Sequence, residues 1–164
     1  MSQNTYWNKI KTPLGALILV WDHEGLITVA FAGTSNLLSH KNAQKKQCPD
    51  QFSKAFGDYF NGDVQALDSL PIKQNGSTFY RKVWLELRKI PFGETRSYSE
   101  IAKAVGSPKA VRAVGTANAK NPHTIIVPCH RVIGKDGTLT GYGGGLKRKA
   151  WLLDHEGAPF SNSL

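Results

Sequence analysis

The spacing of hydrophobic positions along this chain changes near residue 75. In the first part, apolar residues recur at about every second position in short runs, separated by stretches that contain glycine, proline or aspartate. Such alternation predicts β-strands joined by hairpin turns. The predicted strands are Thr5–Ile10, Ala16–Trp21 and Leu26–Phe31.

A helix is expected after these strands. The polar stretch 33–49 is predicted to form a loop, and Asp50 stands where an N-cap is expected, ahead of an aromatic-rich apolar face that ends at Asn61-Gly62. Three strands and one helix predict a small α+β domain over residues 1–76, with a supporting role.

From residue 77 onward the pattern is helical, because apolar residues recur three and four positions apart behind capping residues. Ser77, Ser97 and Ser107-Pro108 are expected to start the first three helices. The predicted helices are 78–90, 98–105, 108–118 and 146–155, and a short β-rich run is expected over 124–127.

The second and third of these helices are separated by a glycine turn, which is the helix-turn-helix layout. We therefore expect residues 77–164 to form a mostly helical, winged-helix-like DNA-binding domain. The second helix of the pair offers Lys109 and Arg112 but is otherwise lined with alanine, valine and glycine. Base-specific readout calls for more polar side chains, so this helix predicts close approach to DNA with little sequence preference. Tight packing inside a protein is the alternative explanation.

The excess positive charge of the chain is concentrated in its second half. The 164 residues carry 21 basic and 12 acidic side chains, a net charge of +9. Residues 1–76 account for +1 of it and residues 77–164 for +8. A charge concentrated in one half favours a polyanionic partner, with a solvated basic surface as the alternative. The hydrophobic content of 40% excludes a disordered chain.

Other functional classes find little support. The two cysteines lie in dissimilar surroundings, the N-terminus shows no cleavable signal, and no apolar run is long enough to span a membrane. These features predict a cytoplasmic protein without membrane contact. The scattered histidines and cysteines show no paired ligand spacing, so no metal is expected.

Cys129 is the candidate nucleophile, because it stands between Pro128 and His130 and ahead of Arg131. Cationic neighbours favour the reactive thiolate over the thiol. Neighbours on an extended strand point to opposite sides, so a relay through water and a third group fits as well as a direct Cys–His bond. A small buried core residue is the alternative reading. Cys48 is interpreted as a loop residue without function.

Several motifs surround this cysteine in a fixed order. They are PFGETRSY at 91–98, RAVG at 112–115, NP at 121–122, PCHRV at 128–132, GYGGGL at 141–146 and WLLDHEG at 151–157. Together they closely resemble the O6-alkylguanine-DNA alkyltransferases, also called methylated-DNA–protein-cysteine methyltransferases. The resemblance is specific over residues 77–158, and residues 1–76 resemble the N-terminal domain of that family in outline.

The resemblance implies DNA repair by direct damage reversal, as a single-turnover methyltransferase. The alkyl group of O6-alkylguanine would move irreversibly to Cys129 after nucleotide flipping, with O4-alkylthymine as a further candidate substrate. The implied catalytic residues are Cys129, His130, Glu156, Asn121, Tyr98 and Lys149, with water between the members of the Cys–His–Glu relay. The implied DNA contacts are Arg112, Tyr98, Ser97, Lys109, Gly115 and Arg131. The implied base pocket consists of Tyr142, Gly143, Gly144 and Val132.

The partner implied is double-stranded DNA that contains alkylated guanine. The protein is expected to act as a monomer, with cooperative binding to DNA left open, and without a cofactor or metal. Three other functions fit parts of the pattern. They are a DNA-binding module that senses lesions, which would lack the acceptor cysteine, a cysteine hydrolase that ignores DNA, and a transcription factor that prefers one DNA sequence.

Overall fold

The computed structural model describes residues 4–34 and 42–161. The chain divides into two compact units. The first takes in the chain up to Asn75 together with Pro122–Thr124, and the second takes in Gly76–Asn121 and the chain from Ile125 onward. Every helix in the described part of the chain is too short or too polar to cross a membrane.

The first unit contains one sheet in the order β3-β2-β1-β4. Its strands are β1 (Tyr6–Thr12), β2 (Gly15–Trp21), β3 (Leu26–Phe31) and β4 (Gln44–Lys45). The first three pair as antiparallel neighbours and agree with the predicted strands, whereas β4 pairs parallel to β1. The sequence placed β4 inside a loop because a two-residue strand carries no alternation to detect. Residues 35–41 of that predicted loop lie outside the described residues.

The helix of the first unit, α1 (Asp50–Phe60), packs its aromatic face on the sheet. The ring of Phe52 meets Trp21 edge-on with centroids 6.1 Å apart. The expected capping role of Asp50 is wrong. Asp50 is the first helical residue, and Pro49 occupies the N-cap position without a side-chain hydrogen bond.

Residues 122–124 run beside β3 in the first unit. The Val29 amide donates to the Pro122 carbonyl at 2.8 Å, and the Thr124 amide donates to the Val29 carbonyl at 2.9 Å. The ring of His123, fully buried, bonds the Leu26 carbonyl through Nε2 at 2.7 Å. The β-rich run predicted over 124–127 is therefore wrong, because the pairing ends where it was expected to begin. Ile125 then turns the chain with a φ of 72°, a conformation that is rare for a β-branched residue.

The second unit is mostly helical, with one short parallel strand pair. Its helices are α2 (Thr78–Arg88), α3 (Tyr98–Ala104), α4 (Val111–Ala119) and α5 (Leu146–Glu156), and its strands are β5 (Arg96–Ser97) and β6 (Val132–Ile133). The predicted caps at Ser77 and Ser97 are present, each accepting a backbone amide at 3.1 Å. The indole of Trp84 on α2 donates to the Ala117 carbonyl on α4 at 2.8 Å. The α+β fold class predicted from the sequence is confirmed.

The second helix of the helix-turn-helix pair starts later than the sequence predicted. Ser107-Pro108 forms a turn that the Ala110 amide closes by donating to the Ser107 carbonyl at 2.8 Å, and Ala110 is the N-cap of α4. Lys109 consequently precedes the helix. Serine followed by proline suits a turn as well as a helix start, which is why the two could not be separated by sequence alone.

Candidate active site

Cys129 lies at the first position of a 3₁₀ turn that spans Cys129–Arg131. Its side chain is buried, with 6% of the residue exposed. Two asparagines hold this segment. The Asn118 amide donates to the Cys129 carbonyl at 3.2 Å, and the Asn121 amide donates to the Val127 carbonyl at 2.8 Å. Because the backbone turns here, Cys129 and His130 do not point to opposite sides as they would on a strand.

Cys129 opens onto a cavity of about 410 Å³, a size typical of small-molecule sites. Four parts of the chain provide its walls: the first residue of α3, the second half of α4, the 3₁₀ turn that holds Cys129, and the glycine-rich loop before α5. The lining residues are Tyr98, Gly115, Asn118, Ala119, Cys129, Thr140, Gly141, Tyr142 and Gly143. The cavity therefore joins a thiol to a largely apolar, glycine-walled space.

Glu156 is the centre of a buried charge network behind Cys129. Its Oε2 accepts from His130 Nε2 at 2.9 Å and from the Arg131 guanidinium at 3.0 Å, and its Oε1 accepts from Arg131 Nε at 2.8 Å. Arg131 also donates to the Ile90 carbonyl at 2.6 Å. Burial alone would raise the pKa of Glu156, but His130 and Arg131 hold that pKa well below its ordinary value. Glu156 is consequently an anion that only accepts hydrogen bonds.

This network fixes the tautomer of His130. Burial lowers the pKa of His130, against the opposing effect of Glu156, so the imidazole is neutral at rest. Because the Glu156 carboxylate can only accept, Nε2 carries the proton. The other nitrogen, Nδ1, is buried and has no hydrogen-bond partner among the described residues. His130 therefore presents a basic nitrogen. Glu156 contacts His130 directly, whereas the resemblance had implied a water between them.

The thiol itself is not ionised at rest, which corrects the expectation that adjacent cations favour the thiolate. Burial raises the pKa of Cys129, although a hydrogen bond from Asn121 and the charge of Lys149 act in the opposite direction. The Arg131 cation is already paired with Glu156. Cys129 must therefore lose a proton before it can attack.

Lys149 holds the glycine-rich loop through two hydrogen bonds. Its ammonium group is fully buried and donates to the carbonyls of Thr140 and Gly141 at 2.8 and 3.2 Å. The Tyr98 hydroxyl donates to the same Thr140 carbonyl at 2.9 Å. Burial lowers the pKa of Lys149 to about 8, and burial raises the pKa of Tyr98. The phenol thus keeps its proton, and the lysine titrates near neutrality.

The predicted DNA-binding residues differ in their exposure to solvent. Arg112 is exposed on α4, and no side chain in the described part of the chain pairs with its guanidinium. Lys109 is also exposed, Gly115 faces the cavity, and Ser97 is buried as the cap of α3. Arg131 is different. Its guanidinium bonds Glu156 and Ile90 in the interior, so its assignment to DNA is wrong.

Two predicted pocket residues do not line the cavity. Val132 is fully buried and pairs with Arg96 across β5 and β6, because it continues the chain as a strand away from the cavity. Gly144 instead offers its carbonyl to Arg148 at 3.0 Å. The residues that the sequence missed are Asn118 and Thr140. Helical spacing from Val114 could have placed Asn118 on the inner face of α4, whereas nothing in the sequence marks Thr140.

Within residues 4–34 and 42–161, no group of three or more His, Cys, Asp or Glu side chains could hold a metal ion.

Comparison with known proteins identifies the family. The sequence profile of the 6-O-methylguanine DNA methyltransferase DNA-binding domain matches residues 78–158, and the profile of the ribonuclease-like domain of 6-O-methylguanine DNA methyltransferase matches residues 5–74. The methylated-DNA–protein-cysteine methyltransferase of Haemophilus influenzae is 40% identical over 94% of this chain and 88% of its own. The constitutive enzyme of that name from Bacillus subtilis is 46% identical over 92% of this chain and 94% of its own.

Solved structures agree with the sequence comparison. The Mycobacterium tuberculosis O6-methylguanine methyltransferase matches with a TM-score of 0.83 and 40% identity, over 94% of this chain and 95% of that chain. The same scores are found for the crystal structure of Mycobacterium tuberculosis OGT in complex with DNA. The chain described here therefore belongs to the 6-O-methylguanine DNA methyltransferase family.

Proposed function

We propose that this protein repairs alkylated DNA by direct reversal, transferring the alkyl group from O6 of guanine to Cys129 once per molecule. The observation that carries the proposal is a thiol in the wall of a base-sized cavity, next to a neutral histidine oriented by a buried carboxylate. The protein acts as a monomer on double-stranded DNA. Family membership supports this assignment, because the relatives are named for this reaction.

The reaction begins with removal of the thiol proton. Since Nδ1 of His130 has no direct hydrogen-bond partner among the described residues, the proton reaches it through a bridging water. The resulting imidazolium is stabilised by Glu156 at 2.9 Å. Cys129 Sγ then attacks the alkyl carbon, a sulfur–carbon bond forms, and the bond between that carbon and O6 breaks with its electron pair left on the base. Asn121 braces the segment that leads to Cys129. The departing base needs hydrogen-bond donors, because it carries the electron pair of the broken bond.

Tyr98 is the donor placed to serve the departing guanine. It lines the cavity, and its raised pKa keeps the hydroxyl protonated. In the free protein this hydroxyl is held by the Thr140 carbonyl, which Lys149 also binds. Tyr98 donates to the base as negative charge develops, while Lys149 holds Thr140 and Gly141 of the loop in place.

The target atom cannot be reached within a stacked duplex, so the nucleotide is flipped out at a cost of a few kcal/mol. Arg112 fills the vacated space from the exposed side of α4. Lys109 contacts a phosphate, Ser97 holds the start of α3 as its buried cap, and Gly115 lets the backbone approach closely. The product is a thioether, which offers no carbonyl for water to attack, so the protein is consumed.

The test is the mass of the intact protein after incubation with a duplex that contains O6-methylguanine. We expect one methyl group per molecule, located on Cys129, and no gain in the Cys129→Ala variant. Cys48→Ala is the matched control, because Cys48 is the other free cysteine and should leave transfer intact. An unmodified protein that still binds the duplex would identify a lesion sensor instead. Repeated turnover would identify a hydrolase.

A further inference from the structure

Two neighbouring side chains of α5 anchor the glycine-rich loop at its two ends. Lys149 holds the beginning of the loop through the carbonyls of Thr140 and Gly141. Arg148 holds the end of the loop, because its guanidinium donates to the Gly144 carbonyl at 3.0 Å. Successive residues of a helix point about 100° apart, so a single helix turn can reach both ends. The proposed reaction gives Lys149 a role and gives Arg148 none.

The first turn of α5 is an unfavourable place for the charge of Arg148. Residues 146–149 include three consecutive cations, Lys147, Arg148 and Lys149, and no acidic side chain. The partial positive charge at a helix N-terminus disfavours cations there, and the N-cap residue, Gly145, provides no side-chain hydrogen bond. The charge of Arg148 therefore weakens the start of its own helix. Its contact with the loop is the compensating interaction that the structure shows.

Tyr142 and Gly143 are the loop residues that lie between the two anchors and line the cavity. They belong to a turn that the Gly145 amide closes by donating to the Tyr142 carbonyl at 2.9 Å. A glycine-rich backbone has many alternative conformations, so the position of this turn depends on the hydrogen bonds that hold it. The bond from Arg148 to Gly144 lies within the turn. It therefore limits how far Tyr142 and Gly143 can move away from a bound base.

We propose that Arg148 is a positioning residue that limits the size of the alkyl group that the protein accepts, an inference that rests on the proposed function. The base and its alkyl group share one cavity of about 410 Å³, so a larger group needs space that the loop must provide. Lys149 is fully buried, whereas Arg148 is half-buried, so the Arg148 end is the one that can open. With Arg148 bound to Gly144, the loop stays in place and bulky groups are transferred more slowly than methyl groups.

The experiment compares transfer from two duplexes of the same sequence, one with O6-methylguanine and one with O6-benzylguanine, with protein in excess. The readout is the ratio of the benzyl rate to the methyl rate within each protein variant. We expect this ratio to rise about tenfold in Arg148→Met, because opening the loop no longer breaks a charge-assisted hydrogen bond. Arg148→Lys keeps a cationic donor and should keep the ratio near that of the wild type. Lys147→Met is the matched control, because it removes an exposed cation from the same helix turn.

A second readout separates this inference from the proposed function. Amide hydrogen exchange of Gly145, measured without DNA, reports the turn directly, and it should be faster in Arg148→Met and unchanged in Lys147→Met. If exchange responds in this way but the wild type transfers no alkyl group, the proposed reaction and the size selection are overturned, and the anchor remains. Equal rate ratios for the wild type and Arg148→Met would overturn the selective role of Arg148. An equal rise of the ratio in Lys147→Met would also overturn it, because the effect would then come from charge alone.

Discussion

Glu156 determines what two neighbouring side chains can do. It holds the proton of His130 on Nε2 and neutralises Arg131 in the interior. Replacement by glutamine would leave the guanidinium buried without an anion, which costs about 3–5 kcal/mol. We therefore expect Glu156→Gln to lower the free energy of unfolding by that amount in urea denaturation. Asp154→Asn removes an exposed carboxylate from the same helix and should change stability little. An equally small loss for Glu156→Gln would contradict the network.

Lys149 gives the protein a pH dependence of known sign. Its pKa is about 8 in the folded protein and near 10.5 when unfolded. Between these values the unfolded chain binds the extra proton, so the free energy of unfolding rises with pH, by about 3 kcal/mol over the interval. The rise should be absent in Lys149→Met. Chemical denaturation at pH 8 and pH 10.5 measures it, in the Cys129→Ala background because the thiol titrates in the same range. If the free energy of unfolding changed with pH in the same way in both proteins, the lowered pKa of Lys149 would be contradicted.

At the scale of elements, the sequence was informative where a local signal decides the structure. Ser77 and Ser97 located the starts of α2 and α3. The sequence was uninformative where a residue distant along the chain determines the local structure. Residues 122–124 pair with Val29, about ninety positions earlier, and no local pattern encodes that pairing. The same holds for Arg131, whose charge suggested DNA but whose partner, Glu156, lies 25 residues away.

The two capping serines offer a matched pair of substitutions. Each accepts a backbone amide at 3.1 Å, so Ser77→Ala and Ser97→Ala should each cost about 1 kcal/mol of stability. Only Ser97 caps α3, whose first residue is Tyr98 of the cavity wall. We expect the transfer rate per folded molecule to fall in Ser97→Ala and to stay unchanged in Ser77→Ala. Equal transfer rates would show that the α3 start does not position Tyr98.

Arg112 lies on the exposed side of α4. Arg112 is expected to fill the space left by the flipped nucleotide, a task that exists in a duplex and not with a free base. Arg112→Ala should therefore slow transfer from O6-methylguanine in a duplex while leaving transfer from free O6-benzylguanine unchanged, as followed by intact mass. Lys120→Ala removes an exposed charge at the end of the same helix and serves as the control. Equal losses with the two substrates would contradict the space-filling role.

At the scale of the whole molecule, charge is distributed unequally. In the first unit Lys54 pairs with Asp58 at 2.7 Å, and Lys73 pairs with Asp22 at 2.8 Å. In the second half the net charge is +8, and Arg112 has no acidic partner among the described residues. A basic surface of this kind binds the phosphate backbone and releases counterions, so it supplies affinity without sequence readout.

Salt titration of DNA binding tests this division of charge. Each phosphate contact adds about 0.9 to the slope of log affinity against log salt. Lys109→Gln should reduce the slope for an undamaged duplex by about that amount, whereas Lys54→Gln should not change it, because Lys54 is paired with Asp58 in the first unit. The reduction should be the same on duplexes of unrelated sequence, since phosphates carry no base identity. A slope that Lys54→Gln lowers as much as Lys109→Gln would show that the first unit shares the backbone contact. A reduction confined to one DNA sequence would show that Lys109 reads bases.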